Sequence, residues 1–261
     1  HKFGFRFFKI DGMTLRTYCG EQRLTKMFRR VRMASNGQIY FNLDVTNGQR
    51  GGYFYLLEYG NLFLQNRYVT LNWGIGYHPE KTLRSLWRLS RYCRTQYLQI
   101  EVPYRAAGLR KSSADNPSYH CMPECYPQEY WAAIALFANP LLWLYPSEVA
   151  PADAQVLRNV MILHKKYRRQ IFSGDILPIG REPDGRTITG LQSHNAADNS
   201  GLIIVFREYG CAYSNDDLTM AVTLPDKCVL TPVAGHGNAK MTNGKLQVEI
   251  PMPADWALFK Y

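Results

Sequence analysis

The chain has 261 residues, enough for one large domain or two modest ones. Apolar residues make up 46% and charged residues 20%, the balance of a globular protein, which excludes a disordered chain. The net charge of +10 is spread along the sequence. Arg29, Arg30 and Arg32, or Lys165, Lys166, Arg168 and Arg169, read as solvated helix faces, and with no zinc-finger spacing or RNA-binding signature no nucleic-acid partner is expected.

In chain order, short apolar runs alternate with helical stretches, the pattern of a parallel α/β sheet. Phe5 to Ile10 reads as a strand ending in Asp11-Gly12, and Gln22 to Met33 as a basic amphipathic helix. Gln38 to Leu43 is a second strand, ending at Asp44. Leu62 to Leu64 is a third, ending at Asn66 and Arg67. Pro79 to Tyr92 carries Leu83, Leu86, Trp87 and Leu89 at helical spacing. Tyr97 to Ile100 is a fourth strand, ending at Glu101. Gln128 to Ala138 is a helix, and Leu141 to Leu144 a fifth strand. A long helix follows, opened by Pro151, with Val156, Val160, Ile162 and Leu163 as its apolar positions.

The character changes after about Phe172. Ile176 to Ile179, Thr187 to Gln192, Leu202 to Arg207, Leu218 to Leu224, Lys227 to Val233 and Lys245 to Ile250 are short strands. Gly-, Asp- and Asn-rich turns such as Pro183-Asp184-Gly185 and Asn243-Gly244 join them. With Trp256 to Tyr261 as a closing strand, this is an antiparallel sandwich of about ninety residues. The expected division is therefore 1–172 and 173–261.

No apolar stretch reaches the ~20 residues of a membrane span. The nearest, Ala132 to Tyr145, is split by Asn139 and Pro140, so no membrane partner is expected. No signal peptide precedes the first strand, and the start at His1-Lys2-Phe3 reads like the middle of a protein. The six cysteines lie far apart except Cys121 and Cys125, which with His120 form no recognised zinc pattern. Free thiols or one loop disulfide are the alternatives, and no metal or cofactor is expected. Trp87, Trp131 and Trp143 sit in apolar runs and read as core.

Parallel strands present their C-terminal ends on one side, so Asp11, Asp44, Arg67 and Glu101 are expected at one mouth. Any one of these acids could instead be a helix N-cap. Phe7-Phe8-Lys9-Ile10-Asp11-Gly12 is the most specific segment. Alternation turns Lys9 and Asp11 to one face. A lysine beside a carboxylate keeps it charged, which suits a nucleophile, and equally describes a buried ion pair.

That segment resembles the fourth barrel strand of melibiase-type α-galactosidases and related retaining glycoside hydrolases, where a Lys-x-Asp element supplies the nucleophile. The resemblance continues through Tyr40-Phe41-Asn42-Leu43-Asp44, Gly60-Asn61-Leu62-Phe63-Leu64-Gln65-Asn66-Arg67-Tyr68, Tyr77-His78-Pro79 and Leu98-Gln99-Ile100-Glu101. It returns at Ile176-Leu177-Pro178-Ile179-Gly180 and Val205-Phe206-Arg207-Glu208-Tyr209-Gly210. It implies a partial (β/α)8 TIM barrel, about strands 4–8, followed by an antiparallel β-sandwich domain. It also implies hydrolysis of α-linked sugars, galactosides first, with Asp11 as the nucleophile and an oligosaccharide or glycoside as the substrate.

The acid/base should follow the sixth barrel strand, but Val69-Thr70-Leu71-Asn72-Trp73 holds no carboxylate. Asp44, Glu58 and Glu101 are its nearby substitutes. Lys9, Arg67, Glu58, Trp73, Tyr77 and His78 are the expected sugar-binding residues. Five strands also leave a barrel incomplete, so the remaining half belongs to the same precursor or to a second chain. Two alternatives remain: a non-catalytic carbohydrate-binding protein derived from such an enzyme, and a basic α/β protein whose sandwich makes protein contacts.

Overall fold

A computed structural model of the protein describes residues 4–11, 17–45, 51–64, 67–69, 75–102, 126–142 and 146–261. Five short strands form a wholly parallel sheet in the order β1 (Phe7–Ile10), β2 (Tyr40–Asp44), β3 (Gly60–Leu64), β6 (Leu98–Glu101) and β7 (Asn139–Leu141). A two-stranded hairpin, β4 (Arg67–Val69) with β5 (Ile75–Tyr77), stands between β3 and the next helix.

Alternation divides the parallel sheet into two chemically different faces. Ile10, Leu43, Leu62 and Leu98 are in register across it and face the helices. Helix α1 (Tyr18–Ala34) buries Leu24 and Phe28, one turn apart, with the Phe28 ring 4.3 Å from that of Phe41. Helix α2 (Pro79–Leu89) buries Leu83, Leu86 and Trp87, and its Trp87 indole N–H donates to the Ile179 carbonyl at 3.2 Å. Leu43, Leu62 and Leu98 are wholly buried, each worth roughly 1.5–3 kcal/mol against exposure.

Helix α1 begins four residues earlier than the amphipathic pattern suggests, because the Thr17 hydroxyl caps it by accepting from the Gly20 amide at 3.1 Å. Helix α3 (Gln128–Ile134) runs into a 3-10 turn at Ala135–Phe137, and the following strand, Asn139–Leu141, begins two residues before the expected 141–144, of which 143 and 144 lie outside the described residues. The long helix α4 (Pro151–Ser173) then buries Leu157, Val160 and Ile171.

Everything after α4 is antiparallel. One sheet has the order β12 (Thr231–Gly235), β15 (Asp255–Lys260), β10 (Ser200–Arg207), β9 (Ile188–Asn195) and β8 (Asp175–Gly180). A second has the order β11 (Asn215–Thr219), β14 (Lys245–Glu249) and β13 (Asn238–Thr242). β11 falls earlier than 218–224 and β12 later than its expected start at Lys227. β13, sequence Asn-Ala-Lys-Met-Thr, is not marked by apolar alternation.

Two cores result. The smaller lies between the antiparallel sheets, around Ile203, Val205, Leu246, Ile250 and Phe259. The larger is continuous from the parallel sheet and its helices to the other face of the five-stranded antiparallel sheet, taking in Leu202, Ile204, Phe206, Trp256 and Leu258. Trp87 and Trp131 are both buried in that larger core, while Trp143 lies outside the described residues.

Candidate functional site

The second face of the parallel sheet is polar. Lys9 is in register with Asn42, Asn42 with Asn61, Asp44 with Phe63, and Phe63 with Gln99, two residues before Glu101. Alternation therefore sets Lys9, Asn42, Asp44, Phe63, Gln99 and Glu101 on one side. A sheet face meant only for packing would be apolar. This one carries charges and amides, four of which (Asn42, Asp44, Gln99 and Glu101) are buried.

Lys9 is the hub. Its ammonium lies 2.9 Å from Asp44 Oδ2 and 3.6 Å from Asp11 Oδ2, and 4.8 Å from the Phe63 ring centroid. The sequence pairs Lys9 with Asp11, two residues along the same strand. The closer contact is with Asp44 on the neighbouring strand, which the Lys9–Asn42 register places, like Asp11, one layer further toward the mouth. The carboxylates differ in access: the Asp44 side chain is 3% exposed and that of Asp11 55%.

Asn42 donates from Nδ2 to Gln99 Oε1, tying β2 to β6 across β3. Its own Oδ1 is buried and has no hydrogen-bond partner among the described residues. Such an acceptor is costly unless something binds it. Asn42 and Gln99 carry no signal of their own in the sequence, although each precedes a strand-end acid by two residues and so shares its face.

The other expected residues are placed less uniformly. Arg67 and Tyr77 are directly paired across the β4–β5 hairpin, and Trp73 lies outside the described residues. His78 closes that hairpin and occupies the N-cap of α2, with Nδ1 3.4 Å from Glu80 Oε1. Glu58 is at the wrong end of the sheet. It sits in the turn before β3, exposed, and its carbonyl accepts from Arg32. Nearness in sequence to β3 suggested it, but it precedes the strand instead of following it.

Cys19, Cys93, Cys211 and Cys228 are free thiols, and burial raises the Cys93 thiol above its ordinary value. Cys121, Cys125 and His120 lie outside the described residues. No group of three metal-ligating side chains occurs among the described residues. None of the described helices is long and apolar enough to cross a membrane.

No family model matches the chain, and no curated protein does. Solved structures do. The GH36 α-galactosidase AgaA of Geobacillus stearothermophilus, crystallised with raffinose, aligns with a TM-score of 0.63 at 11% identity, over 98% of this chain and 36% of its own. The α-galactosidase of Lactobacillus brevis aligns at 0.61 and 12% identity, over 97% of this chain and 34% of its own. AgaB, a second GH36 enzyme of G. stearothermophilus, gives 0.60 and 12%, over 98% and 35%. At these identities the likeness is one of fold: the chain has a glycoside hydrolase-like fold and spans about a third of the length of each of these enzymes.

Proposed function

We propose that the protein is a retaining glycoside hydrolase of the α-galactosidase type, and that its parallel sheet is one portion of a (β/α)8 barrel. The observation that carries this reading is the Lys9 ammonium shared by Asp11 and Asp44 at the C-terminal ends of adjacent parallel strands. Barrel enzymes carry their chemistry at that end. Two carboxylates sharing one cation lie no more than about 6.5 Å apart, a bound that admits the about 5–5.5 Å of retaining hydrolysis.

Asp11, the accessible carboxylate, is the nucleophile: it attacks the anomeric carbon as the glycosidic C–O bond breaks and the leaving oxygen takes a proton from the acid/base, and water, deprotonated by that same group, then displaces Asp11 from the glycosyl intermediate. Lys9 balances the charge of both acids, and Asn42 Oδ1 accepts from a sugar hydroxyl. The acid/base is drawn from Asp44 and Glu101, and the loss of one limb of the pH–rate profile in Asp44→Asn or Glu101→Gln identifies it. The fold neighbour AgaA, crystallised with raffinose and also with stachyose, supports an oligosaccharide substrate. The reading requires further barrel strands, from the same polypeptide or another chain. Edge strand β1, where Phe7 and Phe8 are exposed along with the preceding Phe5, suits such a partner.

The test is turnover of nitrophenyl α-galactoside by the polypeptide carrying this chain. Asp11→Asn keeps the shape but removes the nucleophile, and at least about a thousandfold loss of rate is expected, about 4 kcal/mol. Undiminished turnover by Asp11→Asn overturns the assignment. A second reading, a non-catalytic carbohydrate-binding protein, is favoured by the absence of a carboxylate from Val69 to Trp73. Galactose binding without turnover would establish it.

A further inference from the structure

Residues 90–97 connect α2 to β6 at the N-terminal end of the parallel sheet, opposite the end that carries Asp44 and Glu101. They face the junction of α4 with β8, and a cleft of about 270 Å³ lies between the two. One wall is residues 90–96, and the other is Phe172 and residues 174–177. The backbone fixes its shape. The amides of Ser90, Tyr92 and Cys93 donate to the Leu86 and Leu89 carbonyls, and a β-carbon on Gly174 would run into the His194 carbonyl.

Of the cleft's side chains, Tyr92, Arg94 and Asp175 are exposed, while Cys93, Phe172 and Ile176 pack into the larger core. The Tyr92 ring is 84% exposed, an arrangement that contributes little to packing. Arg94 and Asp175, both exposed, form no ion pair among the described residues, in contrast to Arg84, Arg88 and Arg181. Arg91 is held 4.3 Å over the Trp87 ring. Thr95 is 1% exposed, and its hydroxyl has no hydrogen-bond partner among the described residues.

We propose that this cleft is a second carbohydrate-binding site, taking one or two neutral sugar rings at the end of the sheet remote from the Lys9 cluster. An exposed aromatic ring offers a flat apolar surface to the C–H face of a pyranose. A guanidinium and a carboxylate in one cleft supply donors and acceptors to neighbouring hydroxyls. The half-buried Phe172 and Leu177 enclose too little apolar surface for a hydrophobic ligand, and Asp175 together with Arg91 and Arg94 gives the cleft both acceptors and donors, which suits hydroxyls. The site deepens the carbohydrate reading, from which it takes its ligand class.

The experiment is a titration of stachyose into the Asp11→Asn polypeptide, by calorimetry and by amide chemical shifts, repeated with Tyr92→Ala and with Arg94→Ala. Both added changes are at exposed side chains. The expected result is shifts at residues 91–96 and 174–177, with affinity at that cleft weakened at least tenfold by Tyr92→Ala, while turnover by the otherwise wild-type Tyr92→Ala protein is unchanged. Unmoved amides in the cleft, or saturation of it by inorganic sulfate in preference to stachyose, overturn the proposal. Failure here with intact nitrophenyl galactoside turnover leaves the hydrolase reading standing. Shifts in the cleft from a polypeptide without turnover leave the second site standing and remove the hydrolase.

Discussion

Glu208 gives the sharpest test of how the two kinds of sheet are joined. It is almost wholly buried at the end of β10, where one oxygen, Oε2, accepts from the Asp184 amide at 3.1 Å, the Thr187 amide at 3.0 Å and the Thr187 hydroxyl at 2.9 Å. That oxygen organises the turn from β8 to β9, whose Pro183 carbonyl accepts from Arg84 of α2. Glu208→Ala strands three donors. At about 1–3 kcal/mol for each unsatisfied group, and with less than full additivity because they share one acceptor, the expected loss is about 3–5 kcal/mol.

Urea unfolding followed by tryptophan fluorescence measures it. The Gly210 amide, which donates to the Gly185 carbonyl at 2.9 Å, should also lose hydrogen-exchange protection. A loss under about 1 kcal/mol refutes the view that this carboxylate holds the turn.

The charge of Glu208 acts in the other direction. Burial raises its carboxyl above the ordinary value of 4.5, against the lowering effect of the hydrogen bonds from Thr187, Gly185 and Asp184. The folded protein therefore holds this proton more tightly than the unfolded chain does. The stability this contributes is fully present below 4.5 and is lost as pH rises through the folded value. Glu208→Gln retains an acceptor oxygen without the charge, so its stability relative to wild type should rise over that same window. A flat difference from pH 4 to 8 is the contrary result.

Three further outcomes are expected. Lys9→Met takes the cation from beside the buried Asp44 carboxylate and should cost about 3–5 kcal/mol in urea unfolding, with part recovered in Lys9→Met/Asp44→Leu. Gly60→Ala should weaken the β2–β3 pairing by more than about 2 kcal/mol, because a methyl there meets the Phe41 carbonyl. A thermal scan checks it. Arg88→Ala removes an exposed contact with Glu182, so its melting temperature should match wild type within error.

The alternation of strand and helix up to α4 was legible because the buried strands are apolar and flanked by polar residues. β13 was not, since Asn-Ala-Lys-Met-Thr has one buried side chain, Met241, and takes its place from pairing with β14. The hairpin of Arg67–Val69 with Ile75–Tyr77 was hidden for a similar reason, each strand being three residues long. At the site, the strand ends were readable one by one, but which lysine meets which acid depends on register. A shift of one residue between β1 and β2 would turn Asp44 away from Lys9. Glu58 misled for a related reason: the position of an acid relative to a strand's direction cannot be judged until the strand's first residue is known.

The shared core has a consequence for anyone wishing to recombine this protein. The five-stranded antiparallel sheet is sheathed on one side by the three-stranded sheet and on the other by the helices of the α/β part, with Phe206 edge-on to Tyr130 and Ser193 hydrogen-bonded to the Ile171 carbonyl of α4. A cut at residue 174 therefore yields no clean module. Each half would carry a raw oily face, Trp256 and Leu258 on one and Trp131 and Leu157 on the other. Grafting or truncation here must move both layers together, or redesign the seam.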